Sequence, residues 1–155
     1  MRAVVQRVTQ ARVTIDGTVV GAIGVGFLVL VGVHVDDTPG DAQALASKIV
    51  NLRIFDDEEV GMTNDLAAVG GSILLVSQFT LLADTRKGRR PSFVAAARGE
   101  QANGLYESVA AHMRARGVHV ETGVFGGDMD VELVNRGPVT IVLDTQSQAR
   151  SDAKG

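Results

Sequence analysis

Apolar positions along this chain follow two rhythms, one of strands and one of helices. From Ala3 to Val35 they come in strand-length runs: Arg12-Val13-Thr14-Ile15 alternates, Asp16-Gly17 is a strong two-residue hairpin signal, and Thr18 to Ile23 returns. Gly24-Val25-Gly26 turns the chain into Phe27-Leu28-Val29-Leu30-Val31, apolar enough to be buried on both faces. The period then changes. Thr38-Pro39-Gly40-Asp41 predicts a helix start, with Thr38 as N-cap and Pro39 at the first position, and Ala42, Leu45, Ala46, Ile49 and Leu52 form one core-facing stripe. The acidic run Asp56 to Glu59 and the stretch Gly61 to Asp65 predict a surface loop. Gly70-Gly71 then precedes the apolar run Ile73-Leu74-Leu75-Val76, which predicts a buried strand.

A second helix is predicted from about Glu100 to Arg116. Ala102, Leu105, Tyr106, Val109, Ala110 and Met113 line its apolar face, Arg114 and Arg116 suit its negative end, and Gly117 suits C′. Val118 to Glu121 predicts a short strand, and Met129, Val131 and Leu133 alternate as a half-buried one. Asn135-Arg136-Gly137-Pro138 predicts a turn into Val139 to Leu143. Residues 1–145 make one domain, and from Gln146 the chain is small and polar, as in a frayed tail. Roughly nine strands and two helices, with hairpins at the start and end, indicate an α+β domain on a largely antiparallel sheet.

Composition narrows the chemistry. The 155 residues are enough for one buried core, and 45% hydrophobic content is that of an ordinary globular domain. There is no cysteine, which excludes disulfides, thiol catalysis and cysteine-ligated metal and fits a reducing, cytoplasmic setting. The densest apolar run, Phe27 to Val31, is far too short to span a bilayer, so no membrane is implicated. A net charge of −3 argues against coating nucleic acid non-specifically. Yet Arg86, Lys87, Arg89 and Arg90 fall within five residues, and such a patch on an acidic protein suits one phosphate-bearing ligand.

Directly after the buried run stand Ser77-Gln78-Phe79-Thr80-Leu81: a hydroxyl, an amide, a ring and a second hydroxyl at the mouth of a strand. No conventional machinery accompanies them. His34, His112 and His119 have no ligand spacing, and no Gly-x-Ser-x-Gly elbow exists. Asp128, Asp130 and Glu132 read as the solvated edge of a strand. Gly21, Gly24 and Gly26 precede a strand and not a helix, which removes a nucleotide loop. An activity would therefore use pocket geometry, backbone amides or the substrate's own groups, with neither cofactor nor metal. Gly137-Pro138 adds a rigid main-chain corner, and glycine lets its backbone approach a ligand closely.

Taken together, Ser77-Gln78-Phe79-Thr80-Leu81, Arg90-Pro91-Ser92-Phe93 and Asn135-Arg136-Gly137-Pro138-Val139-Thr140 resemble the D-aminoacyl-tRNA deacylase family. So do Met1-Arg2-Ala3-Val4-Val5-Gln6-Arg7-Val8 and Gly123-Val124-Phe125-Gly126 leading into Met129. The resemblance implies a barrel-like, antiparallel or mixed sheet with two helices. It implies a homodimeric editing enzyme, active sites at the subunit interface, that hydrolyses the ester of D-aminoacyl-tRNA at the 3′ acceptor end. Glycine mischarged on tRNA would be cleared too. Ser77, Gln78, Phe79 and Thr80 would line the catalytic pocket. Gly137 and Pro138, as a Gly-cisPro motif, would reach the partner's pocket and reject L-amino acids, with Arg7 and Asn135 in support. Arg86, Lys87, Arg89 and Arg90 would meet tRNA phosphates, and the 2′-hydroxyl of the terminal ribose would assist hydrolysis. Thr63-Asn64-Asp65 departs from the asparagine-rich loop expected there. The competing readings are a non-catalytic RNA-binding module, weakened by 4% aromatic content, and an esterase using Thr80, weakened by the missing base.

Overall fold

A computed structural model describes residues 1–146. Eight strands and two α-helices follow in the order β1 (Arg2–Ile15), β2 (Thr18–Ile23), β3 (Gly26–Gly32), α1 (Pro39–Val50), β4 (Phe55–Asp57), β5 (Gly61–Asn64), β6 (Ser72–Ser77), α2 (Gly99–Arg114), β7 (Val120–Thr122) and β8 (Asp130–Asp144), with a 3-10 helix at Phe79–Leu82. The sheet is mixed. β1 pairs antiparallel with β2, β3 and β8, whereas β3–β6 and β6–β7 are parallel. Two parallel pairs need crossover connections, and α1 and α2 supply them on one face. At the other end β2 curls toward β7: a Cβ on Gly21 would lie 2.7 Å from the Thr122 carbonyl oxygen, so the sheet is nearly closed into a barrel.

Period-2 patterning divides the core. Phe27, Val29 and Val31 of β3 and Ile73 and Leu75 of β6 face the helices, packing with Leu45, Ile49, Val109 and Met113. Leu28, Leu74 and Val76 face the other way, against Val8, Val13 and Ile23. Both strands are thus buried on two faces, as their unbroken apolar runs require. The Asp16-Gly17 hairpin forms with φ of 48° and 77°, the left-handed pair that such a two-residue turn demands. At the start of α1, Asp41 accepts from the Thr38 amide at 2.9 Å and its hydroxyl at 2.8 Å. Burial pushes the Asp41 carboxyl up, but these bonds more than offset it, leaving the group below the ordinary carboxylate range. α2 closes with Arg114, earlier than Arg116, and Gly117 follows with φ 82°.

Two expectations are corrected. The stretch Asp56 to Asp65 is not a loop throughout: β4 and β5 pair as an antiparallel hairpin. The acidic run hides this because its polarity reads as loop, while the pairing depends only on backbone groups. Nor does the chain end in a hairpin. Residues 130–144 form one strand alongside β1, and Asn135 to Thr140 is a bulge in it. Gln6 pairs with Thr140 and Gln10 with Val134, so four steps along β1 span six along β8. Two extra residues are accommodated there, which bends the strand and pushes Gly137 and Pro138 outward. Eight strands result in place of about nine. The proposed tail lies outside the described residues except for Gln146, whose amide donates to Asp144 Oδ1 at 3.0 Å.

Candidate active site

The carboxyl ends of the parallel strands β3 and β6 open into a cavity of about 660 Å³. Val31, Val33 and Val76 form its floor, Ala102 and Tyr106 of α2 one wall, and Phe125 to Met129 another. Ser77, Gln78 and Phe79 line it, because β6 ends at Ser77 and the chain turns immediately into the 3-10 helix. The Gln78 amide donates to the Val31 carbonyl at 2.7 Å and fixes that turn against β3. Glycine at position 32 makes the turn possible: a Cβ there would fall 2.3 Å from Leu82 Cδ2 and 2.9 Å from the Gln78 carbonyl oxygen.

Aromatic pairs frame the cavity. Phe79 and Phe93 meet edge to face at 5.1 Å, which brings the Arg90–Phe93 segment to the site, and Tyr106 tilts against Phe125 at 5.9 Å. Phe79 is 55% exposed, an unusual position for phenylalanine and one from which a planar group can be met. The Tyr106 hydroxyl donates to the Leu75 carbonyl at 2.8 Å, and burial pushes its ionisation far up, so it is a fixed donor and not an acid–base group. Thr80 is exposed and outside the cavity lining; its Oγ1 accepts from Gln78 Nε2. The two charged lining residues escaped the sequence reading. Asp128, expected on a strand edge, and Arg98, the N-cap of α2, both stand at the mouth. The Gly126-Gly127 turn before Asp128 was the available signal.

Among the described residues no group of three or more His, Cys, Asp or Glu is placed to hold a metal. His119 sits 2.8 Å from Glu121, and His34 Nδ1 accepts from the Asp36 amide at 3.2 Å. Neither histidine lines the cavity. No helix among them is long and apolar enough to cross a membrane.

The Asn135–Thr140 bulge is built separately. Its Gly137-Pro138 bond is cis, and both residues are exposed. Asn135 clips it internally: Oδ1 accepts from the Val139 amide at 2.8 Å, and Nδ2 donates to the Val139 carbonyl at 3.2 Å and Thr140 Oγ1 at 3.1 Å. Arg7, buried beneath it, donates from Nε to the Arg136 carbonyl at 2.8 Å. No residue of this bulge lines the cavity of its own chain.

The basic cluster divides in two. Arg86 grips Asp84 with Nε at 2.9 Å and Nη2 at 2.6 Å, and those bonds hold the Asp84 carboxyl far below the usual range. Lys87, Arg89 and Arg90 are exposed and have no ion-pair partner among the described residues.

A nearly closed mixed barrel, two helices on one face and a pocket without histidine at the strand ends define the class. The chain belongs to the family described as D-Tyr-tRNA(Tyr) deacylase, whose profile matches residues 4–144. It is 56% identical over 148 residues to the D-aminoacyl-tRNA deacylase of Thermus aquaticus, covering 96% of this chain and 97% of the relative. It is 58% identical to that of Anaeromyxobacter dehalogenans over 146 residues, 94% of this chain and 98% of the relative. A solved structure described as c-Myc DNA Unwinding Element Binding Protein superposes with a TM-score of 0.87 at 42% identity, over 94% of this chain and 99% of that one. Another, of a probable eukaryotic D-amino acid tRNA deacylase, shares the fold with a TM-score of 0.80 at 20% identity, over 92% and 98%.

Proposed function

We propose that this protein is a D-aminoacyl-tRNA deacylase that proofreads chirality in translation. It hydrolyses the ester joining a D-amino acid, or mischarged glycine, to the 3′-terminal ribose of tRNA in the cytoplasm. Water adds to the ester carbonyl carbon, the carbon–oxygen bond to the ribose breaks, and the ribose oxygen takes a proton. The observation that carries this reading is 56% identity along 96% of the chain to a relative bearing that name.

The cavity supports it. It has the size and mixed aromatic and polar lining of a site for an aminoacylated adenosine. Its one tyrosine is a buried donor, and no histidine reaches it. Asp128 is exposed at the cavity mouth, and the reaction draws instead on position, on backbone N–H groups and on the substrate's 2′-hydroxyl, which activates the water. The amides of Phe79 and Thr80 open the 3-10 helix, where N–H groups have no acceptor within the helix, and serve the developing oxyanion. Ser77, Gln78 and Phe79 hold the substrate, while the Thr80 hydroxyl acts through Gln78.

Selection against L-amino acids falls to Gly137 and Pro138 of a second copy, since both are exposed and absent from the lining of their own cavity. Lys87, Arg89 and Arg90 meet acceptor-end phosphates, with salt-sensitive affinity. Arg86 contributes less, being occupied by Asp84. Incubating the protein with D-tyrosyl-tRNA and L-tyrosyl-tRNA tests the proposal. Loss of the D-ester alone is expected, and equal or absent hydrolysis of both would reject it.

A further inference from the structure

Arg7 is 6% exposed, and its guanidinium joins three segments remote in sequence. Nε donates to the Arg136 carbonyl of the bulge at 2.8 Å. Nη1 donates to the Ile54 carbonyl at 2.8 Å and to Asp56 Oδ2 at 3.1 Å. Nη2 lies directly under Gly137, 2.9 Å from where a Cβ would stand. Two of these contacts are main-chain carbonyls, which orient a guanidinium without neutralising it. Asp56 is the only anion within ion-pair distance of this buried charge among the described residues.

We propose that Asp56, on the β4–β5 hairpin, is a positioning residue for chiral selection: it anchors Arg7, and Arg7 holds the Gly137-Pro138 corner in place. This role rests on the reading of that corner as the selector. Burying an arginine is tolerable when it is paired and its donors are filled. Without the carboxylate, the guanidinium is drawn toward water, and its bond to the Arg136 carbonyl is the one that moves the bulge. A chiral sieve is sensitive to such a shift, because mirror-image substrates differ only in which substituent meets the main chain. Asp56 itself is 64% exposed on its side chain, so it can be altered without opening the core. The hairpin is thereby an outer buttress of the corner, which it reaches through Arg7.

The test is Asp56→Asn in the full-length protein, with Asp57→Asn as control. Asp57 lies on the same hairpin, but its Oδ1 accepts from the Glu59 amide and not from Arg7. Two readouts are taken: the ratio of D- to L-tyrosyl-tRNA hydrolysis, and NMR exchange of the Val139 amide, which is bonded inside the bulge. D56N should lower the ratio by about tenfold, the change carried by one charge-assisted hydrogen bond, and speed exchange at Val139. D57N should do neither, and Asp56→Glu should restore much of the ratio. If wild type discriminates but D56N keeps the wild-type ratio, or loses it with Val139 exchange unchanged, the positioning role is overturned while the deacylase reading stands. If wild type itself does not discriminate, the function falls and the role with it.

Discussion

At Gly137 the backbone takes φ of 133°, a conformation L-residues rarely adopt, and the space above the α-carbon is filled. A Cβ would lie 2.9 Å from both Arg7 Nη2 and Val139 Cγ2, and Arg7 is pinned by its own bonds. Gly137→Ala should therefore shift the bulge, costing about 1–3 kcal/mol of stability and most of the discrimination between D- and L-esters. Melting curves and paired hydrolysis assays check both halves; an alanine variant with wild-type selectivity would remove Gly137 from the selector. Thr80 sits at the opposite extreme. Its hydroxyl is exposed and turned to Gln78, so Thr80→Ala should keep activity within about tenfold of wild type. A 2′-deoxy terminal ribose should be far more damaging than that substitution. The reverse ranking in single-turnover assays would make Thr80 the nucleophile.

Among the elements, the 3-10 helix Phe79–Leu82 decides whether the pocket exists, and it is seated on Gly32. Gly32→Ala presses a methyl group into Leu82 and the Gln78 carbonyl, so the turn must lift from β3. A raised KM for the aminoacyl-tRNA is expected, beyond the loss in Tm; an unchanged KM would mean that the turn does not shape the site. This dependence could not be read in the sequence, where Gly32 is simply the end of an apolar run. β3 and β6 were legible because burial on two faces leaves an unbroken hydrophobic signature, and α1 because Thr38-Pro39 and the Ala42–Ile49 stripe state its start and its inner face. The β4–β5 hairpin was not, since its pairing is made by main-chain groups under an acidic surface. The same limit applies to the bulge. Gly137-Pro138 reads as a turn, and only the register against β1 reveals one strand with two residues to spare. At the site, Ser77 and Gln78 stood out as polar groups, with the Phe79 ring beside them, after a buried strand. Arg98 did not, because tertiary placement alone brings it to the cavity mouth, and Asp128 was marked only by the Gly126-Gly127 turn before it.

Taken as a whole, the molecule holds several carboxylates below their ordinary range. Asp84 is lowered by Arg86 and Glu132 by Arg12, while burial raises Asp41 and Asp144 but is outweighed by bonds from Thr38 and Arg2. A depressed carboxylate stabilises the fold above its unfolded value near 4 and loses that contribution as pH falls through the folded value. With respect to these groups, Tm should be level from about pH 8 to 5 and drop below about 4; a Tm that rose on acidification from pH 5 would contradict the assignment. A second property of the whole molecule concerns assembly. Gly137 and Pro138 are exposed and do not line the cavity of their own chain, and the proposed function accordingly takes them from a second copy. Consider one chain with a sound pocket and Gly137→Ala, and another with a sound bulge and Phe79→Ala. If each bulge serves the other chain's pocket, every mixed dimer contains one site with both parts intact. If each bulge served its own pocket, mixing would restore nothing, because no chain carries both. Co-refolding the two variants and following D- and L-tyrosyl-tRNA side by side separates these cases. A D-over-L ratio that rises on mixing above the activity-weighted average of the two variants is the expected result, and a ratio that stays at that average would place the selector in its own chain.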